Sequence, residues 1–137
     1  MPVAAMSIRN IDERVLELLR VRAARHGRSM EATAITVAEI RHGIERLPDG
    51  RRKEALLSAA TDLFTGLGDL VQPFDGLAAA WFGPVMVRRA RLGLPIQGFD
   101  ALIAAICRAH GAVLATRNVR DFAETGIEIV DPWAALG

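Results

Sequence analysis

Cysteine is nearly missing from this chain. Cys107 alone excludes an internal disulfide and any multi-cysteine zinc site. Lysine is as scarce: Lys53 is the only one, and the other sixteen of the seventeen basic residues are arginine. A long apolar run is also lacking, since the longest, from Gly76 to Val87, is interrupted by Pro84 and is too short to cross a bilayer. The opening MPVAAMSIRN does not have the basic-then-apolar order of a signal peptide, so a cytoplasmic protein with no membrane partner is expected. No P-loop, GxGxxG or GxSxG occurs. A formal charge of +1 excludes a strongly basic nucleic-acid coat.

What remains is a chain of 137 residues, 51% hydrophobic and 24% charged, the balance of a globular protein able to bury a core. That is one domain, or one domain with a short appendage. The charge is uneven, with residues 1–32 at +2 (six Arg against four acids) and residues 33–137 at −1.

Ala4, Met6 and Ile8 alternate with Ala5, Ser7 and Arg9, which reads as a short strand. Asn10 and Asp12 are good helix caps, and Val15, Leu18, Leu19 and Arg22 recur at helical spacing. A helix is therefore expected from about Asp12 to His26, stopped at Gly27. Ser29 to Leu47 has two readings. One is a single helix with a stripe at Met30, Ala34, Val37, Ile40, Ile44 and Leu47. The other is a strand at Thr33–Thr36 followed by a helix at Val37–Leu47. Further on, helices are expected at Arg51–Phe64, Asp75–Leu92 and Gly98–His110. Strands are expected at Leu70–Phe74, Ala112–Thr116 and Ile127–Val130, with a loop at Thr65–Asp69 and a turn or short helix at Asn118–Phe122. Strands alternating with helices imply parallel βαβ units, an α/β fold.

Asp100 is the most informative acid. Ile103, Ala104 and Cys107 share its helical face, so its carboxylate points toward a core and needs a partner, a metal or a raised pKa. Capping or complementing the helix dipole is the plain alternative. Glu39 falls away from the Val37, Ile40, Ile44 stripe and by itself is a solvated acid. The segment Thr116 to Phe122 follows a buried strand, where ligand groups of open α/β sheets collect. There Asn118 and Asp121 could help hold a divalent ion and Arg117 or Arg120 could meet a phosphate, or Asn118 could simply cap the next element. His26, His42 and His110 have no ligand-like spacing, and Cys107 reads as core. The Arg51-Arg52-Lys53 cluster reads as a solvated helix start.

Two family resemblances meet in the chain. Met6-Ser7-Ile8-Arg9-Asn10-Ile11-Asp12 and the run RAARHGRSMEA from Arg22 to Ala32 resemble the start of a FitA-type ribbon-helix-helix antitoxin. From about Thr33 the chain resembles the later part of a VapC/FitB-type PIN-domain toxin. The matching residues are Ala34-Ile35-Thr36-Val37-Ala38-Glu39-Ile40, Phe99-Asp100-Ala101-Leu102-Ile103-Ala104-Ala105, Ala115-Thr116-Arg117-Asn118-Val119-Arg120-Asp121-Phe122 and Asp131-Pro132-Trp133. This implies an antitoxin-like segment at 1–32 and a PIN-like domain at 33–137. In PIN toxins, acidic side chains gather Mg2+ or Mn2+ to hydrolyse RNA phosphodiesters, chemistry that suits hard oxygen ligands and a metal-activated water. By resemblance Glu39 and Asp100 are the second and third acids, and Asn118 and Asp121 occupy the fourth region.

The departure from that family is at its first strand, which ends in an Asp within an Asp-Thr-Asn motif that this sequence lacks. The PIN-like part is N-terminally incomplete, so weak metal binding and poor nuclease activity are expected. The Ala4–Arg9 strand and the helix after it could replace the missing unit, with Asn10 or Asp12 near Glu39 and Asp100. The alternative function is DNA binding through the ribbon-helix-helix arm, in which strands from two chains lie in the major groove with Ser7 and Arg9 as readers. That function requires Ser29–Leu47 to be one helix. A third is an inactive remnant that binds a cognate toxin or antitoxin. By analogy both families imply a homodimer.

Overall fold

A computed structural model describes the backbone of residues 4–7 and 30–131 and the side chains of residues 32–131. Strands β1 (Ala4–Ser7) and β2 (Met30–Thr33) are followed by α1 (Ala34–Glu45) and α2 (Arg51–Leu67). A 3-10 turn at Gly68–Leu70 leads to β3 (Val71–Gln72), then to α3 (Gly76–Arg91) and α4 (Gly98–His110). Finally come β4 (Val113–Thr116), the one-turn α5 (Val119–Phe122) and β5 (Ile129–Val130). These strands form one sheet in the order β3-β2-β1-β4-β5, and every pairing is parallel. The architecture is the α/β parallel sheet flanked by helices that the sequence implied. The helix expected at Asp12–His26, together with Arg9, Asn10 and Trp133, lies outside the described residues.

β1 is the central strand. It pairs with β2 through Ala4 to Met6 and with β4 through Ala4 to Ser7. Strands from both sides of residue 32 thus share one sheet.

Between the two readings of Ser29–Leu47, the structure has a strand and then a helix, but the strand is three residues earlier than expected. The reason is Thr33. Its backbone is extended, and its Oγ1 accepts a hydrogen bond from the Thr36 amide at 3.0 Å, which caps α1. Thr33 Oγ1 also donates to Thr36 Oγ1 at 2.9 Å, and both threonines are buried. Thr33 therefore closes β2 as a strand residue, and Ala34–Thr36 start the helix instead of continuing the strand.

A second correction concerns Thr65–Asp69. The loop expected there begins later, because α2 runs on through Gly66 to Leu67. Leu67 packs against a core of Ile40, Ile44, Leu56, Ala60 and Phe64 between α1 and α2. That packing offsets the roughly 1 kcal/mol cost of a helical glycine. Gly68, at φ +52°, ends the helix in a conformation that suits glycine.

A second core lies under the sheet and joins Val85 of α3, Ile103, Ala104 and Cys107 of α4, Leu114 of β4 and Phe122 of α5. α4 follows the expected boundaries and stops at Gly111, whose φ of +61° provides the left-handed cap. α3 starts at Asp75, whose Oδ1 accepts from the Ala78 amide at 3.0 Å. Among the described residues no helix is long and apolar enough to cross a membrane.

Candidate functional site

The strand order locates a site before any side chain is considered. From β1 the chain steps outward to β2 and β3, then returns to β4 on the other side of β1. The strand order therefore reverses at the β1–β4 pair, and the carboxyl ends of such a pair are where open parallel sheets bind ligands. Ser7 and Thr116 form the last register pair at that point.

Three elements bring the expected residues to this edge. α4 runs back toward the start of β4, so its first turn, with Asp100, lies over the carboxyl ends. Asp100 is 2% exposed while its neighbour Phe99 is 62% exposed. The apolar face read from Ile103, Ala104 and Cys107 therefore carries this carboxylate inward, near the positive end of the helix. Arg117, Asn118 and Asp121 leave the carboxyl end of β4. Thr116 Oγ1 accepts from the Asn118 amide at 3.0 Å, which turns the chain sharply into α5. Arg117 is exposed, and Asn118 and Asp121 are half-buried.

Glu39 lies in the second turn of α1, which begins at the carboxyl end of β2 and packs against α4. It is half-buried, not fully solvated, because Thr36 and Ile40 on either side of it are core residues. Ser7 ends β1, and Arg9 lies outside the described residues.

No group of three His, Cys, Asp or Glu residues suited to hold a metal ion occurs among the described residues. The described donors alone do not fit a complete divalent-cation site, which needs several convergent oxygens.

Other expectations can be settled residue by residue. Cys107 is fully buried, and burial pushes its thiol up to about 12. Arg51 and Arg52 are exposed, while Lys53 Nζ bridges Asp49 Oδ1 at 3.2 Å and Glu45 Oε2 at 3.6 Å. The hydrogen bond that Lys53 donates to the Asp49 carboxylate, the largest influence on it, raises its pKa.

Sequence reasoning missed Arg89. It sits at i+4 from Val85 on the buried stripe of α3 and is 4% exposed, but the run Arg88-Arg89-Ala90-Arg91 looks like a solvated helix end. It also missed the role of Thr33 and Thr116, whose only signal was a threonine closing each strand.

Comparison with known proteins gives two kinds of match. The family described as antitoxin FitA-like, ribbon-helix-helix, matches residues 4–37. The chain is 33% identical over 104 residues to plasmid stability protein StbB of Pseudomonas syringae pv. tomato, covering 75% of both chains. It is 34% identical over 102 residues to VapC ribonuclease Y4jK of Sinorhizobium fredii, covering 74% of this chain and 73% of that one. In fold it is similar to a chain of FitAB bound to an IR36 DNA fragment, with TM-score 0.77, 25% identity and 95% of each chain covered.

Proposed function

Because the chain belongs to the VapC/FitB family of PIN-domain toxins, we propose that it is a toxin–antitoxin-derived protein whose acidic edge serves divalent-metal-dependent hydrolysis of RNA phosphodiesters, at a reduced rate. The observation that carries this reading is the buried Asp100 at the carboxyl edge of the sheet, where Asn118 and Asp121 also lie. Glu39 and Asp100 are the acids assigned to the site, with Asn118 and Asp121 beside them and Arg117 placed to meet a phosphate.

The reduction follows from β1. The position at which a family member carries its first Asp is the end of the central strand, and this strand ends in Ser7. Unless Asn10 or Asp12 takes its place, the site is one carboxylate short and the metal is held weakly.

The test is cleavage of RNA by the purified full chain with Mg2+ or Mn2+, beside an EDTA control and Asp100→Ala. Slow cleavage lost in both controls is expected. Cleavage that survives EDTA, or that Asp100→Ala leaves intact, overturns the reading.

A second reading is favoured by the match of residues 4–37 to the FitA-like family. In it the N-terminal segment binds operator DNA, with Ser7 and Arg9 as readers, within a homodimer or with a cognate toxin or antitoxin. It requires β1 to leave the parallel sheet for a ribbon between two chains, and the strand β2 and helix α1 to become one helix over Ser29–Leu47. A gel shift with the DNA upstream of the gene separates the two: binding abolished by Arg9→Ala supports it, and no binding removes it.

A further inference from the structure

We propose that Arg89 is a positioning residue that fixes the α5 turn, with Asn118 and Asp121, relative to the first turn of α4, with Asp100. Arg89 projects from α3 and is 4% exposed. Its Nη1 donates to the carbonyl of Ala123 at 2.6 Å and to that of Arg120 at 3.2 Å. Its Nη2 donates to the carbonyl of Pro95 at 3.4 Å. One side chain thus joins the end of α5 to the connection that enters α4, two residues ahead of its cap, Gln97. The Arg89 carbonyl in turn accepts from the Leu94 amide at 2.9 Å, so the backbone holds the same connection.

Three physical points favour positioning over filling. A buried cation is costly, and an apolar side chain would fill the space at lower cost in free energy. Among the described residues every hydrogen bond of this guanidinium goes to a main-chain carbonyl, which fixes the backbone and neutralises no acid. Finally, a helix of one turn cannot hold itself in place. Phe122 is buried in this turn, Thr125 Oγ1 donates to the Phe122 carbonyl at 2.6 Å and Thr116 Oγ1 accepts from the Asn118 amide, while Arg89 ties the far end of the turn to the connection that enters α4. The planar fork reaches two segments at once, which the point charge of a lysine cannot do.

The catalytic part of this inference rests on the ribonuclease reading, so its test has a readout independent of activity. In the full chain, Arg89→Lys keeps the charge and most of the stem, and Leu56→Ala provides a remote destabilised control in the α1–α2 core. Amide exchange is followed at 117–123 and at 101–107, beside kcat and KM for RNA cleavage. Arg89→Lys is expected to speed exchange about tenfold at 117–123 with little change at 101–107. It should also lower kcat by about tenfold or more with KM nearly constant, since small misplacements of reacting groups cost that much or more. Leu56→Ala should do neither. Unchanged exchange at 117–123, or an equal rise across α4, overturns the clamp whether or not the parent cleaves RNA. Selective exchange with kcat unchanged overturns its part in catalysis. If the parent does not cleave at all, selective exchange still establishes the clamp, and the ribonuclease reading alone falls.

Discussion

Ser7 and Thr116 are register partners on the last rung shared by β1 and β4, the pair of strands at which the sheet order reverses. One comes from the segment that matches an antitoxin family, the other from the part that resembles the toxin. The N-terminal segment therefore acts as the structural centre of a sheet it did not belong to by resemblance.

If β1 is structurally indispensable, the chain lacking residues 1–32 should not fold. Its sheet would lose the central strand and three of the four residues of β2. A thermal melt followed by circular dichroism should show no cooperative transition for residues 33–137. A sharp transition there would mean that the PIN-like part stands alone.

The two cores predict additive damage. Leu56, 1% exposed, belongs to the α1–α2 core, and Phe122, 0% exposed, to the core under the sheet. Leu56→Ala should cost about 2–5 kcal/mol and Phe122→Ala about 3–5 kcal/mol. Because they share no cluster, the double variant should lose the sum to within about 0.5 kcal/mol in urea denaturation. A strong interaction term would mean that the cores are coupled.

Cys107 predicts an alkaline loss of stability. Its thiol titrates at about 12 in the folded chain against 9.0 for an ordinary cysteine. Below the lower value both states are protonated and the difference is fully present as stability. Between the two values the unfolded chain has lost the proton and the native one has kept it, so stability falls as pH rises, at up to about 1.4 kcal/mol per unit. Denaturation from pH 8 upward should show a steeper decline for the parent than for Cys107→Ala. Equal slopes would place the thiol in contact with water.

Much of this was legible in the sequence. Gly98–His110 followed from apolar spacing and a terminal glycine, and the inward face of Asp100 from the same spacing. The parallel sheet followed from alternation of strands and helices. Where the sequence misled, a local hydroxyl or a distant packing contact decided. Thr36 looks like a strand residue by propensity, yet the Thr33 oxygen takes its amide and places it in the first turn of α1. Gly66 looks like a break, yet Leu67 beyond it finds a core. Arg89 was hidden because its three carbonyl partners, on Pro95, Arg120 and Ala123, come together only in the fold.

The central claim is that the acidic edge is a PIN-type site short of the carboxylate that should close β1. The most direct measurement compares RNA cleavage by the parent and by Ser7→Asp in Mn2+, with and without EDTA, each checked for folding by circular dichroism. Ser7→Asp is expected to raise EDTA-sensitive cleavage by about a hundredfold or more, the lower end of what one positioned catalytic group contributes. That gain should disappear when Asp100→Ala is added. A folded Ser7→Asp variant that cleaves no faster than the parent would contradict the claim.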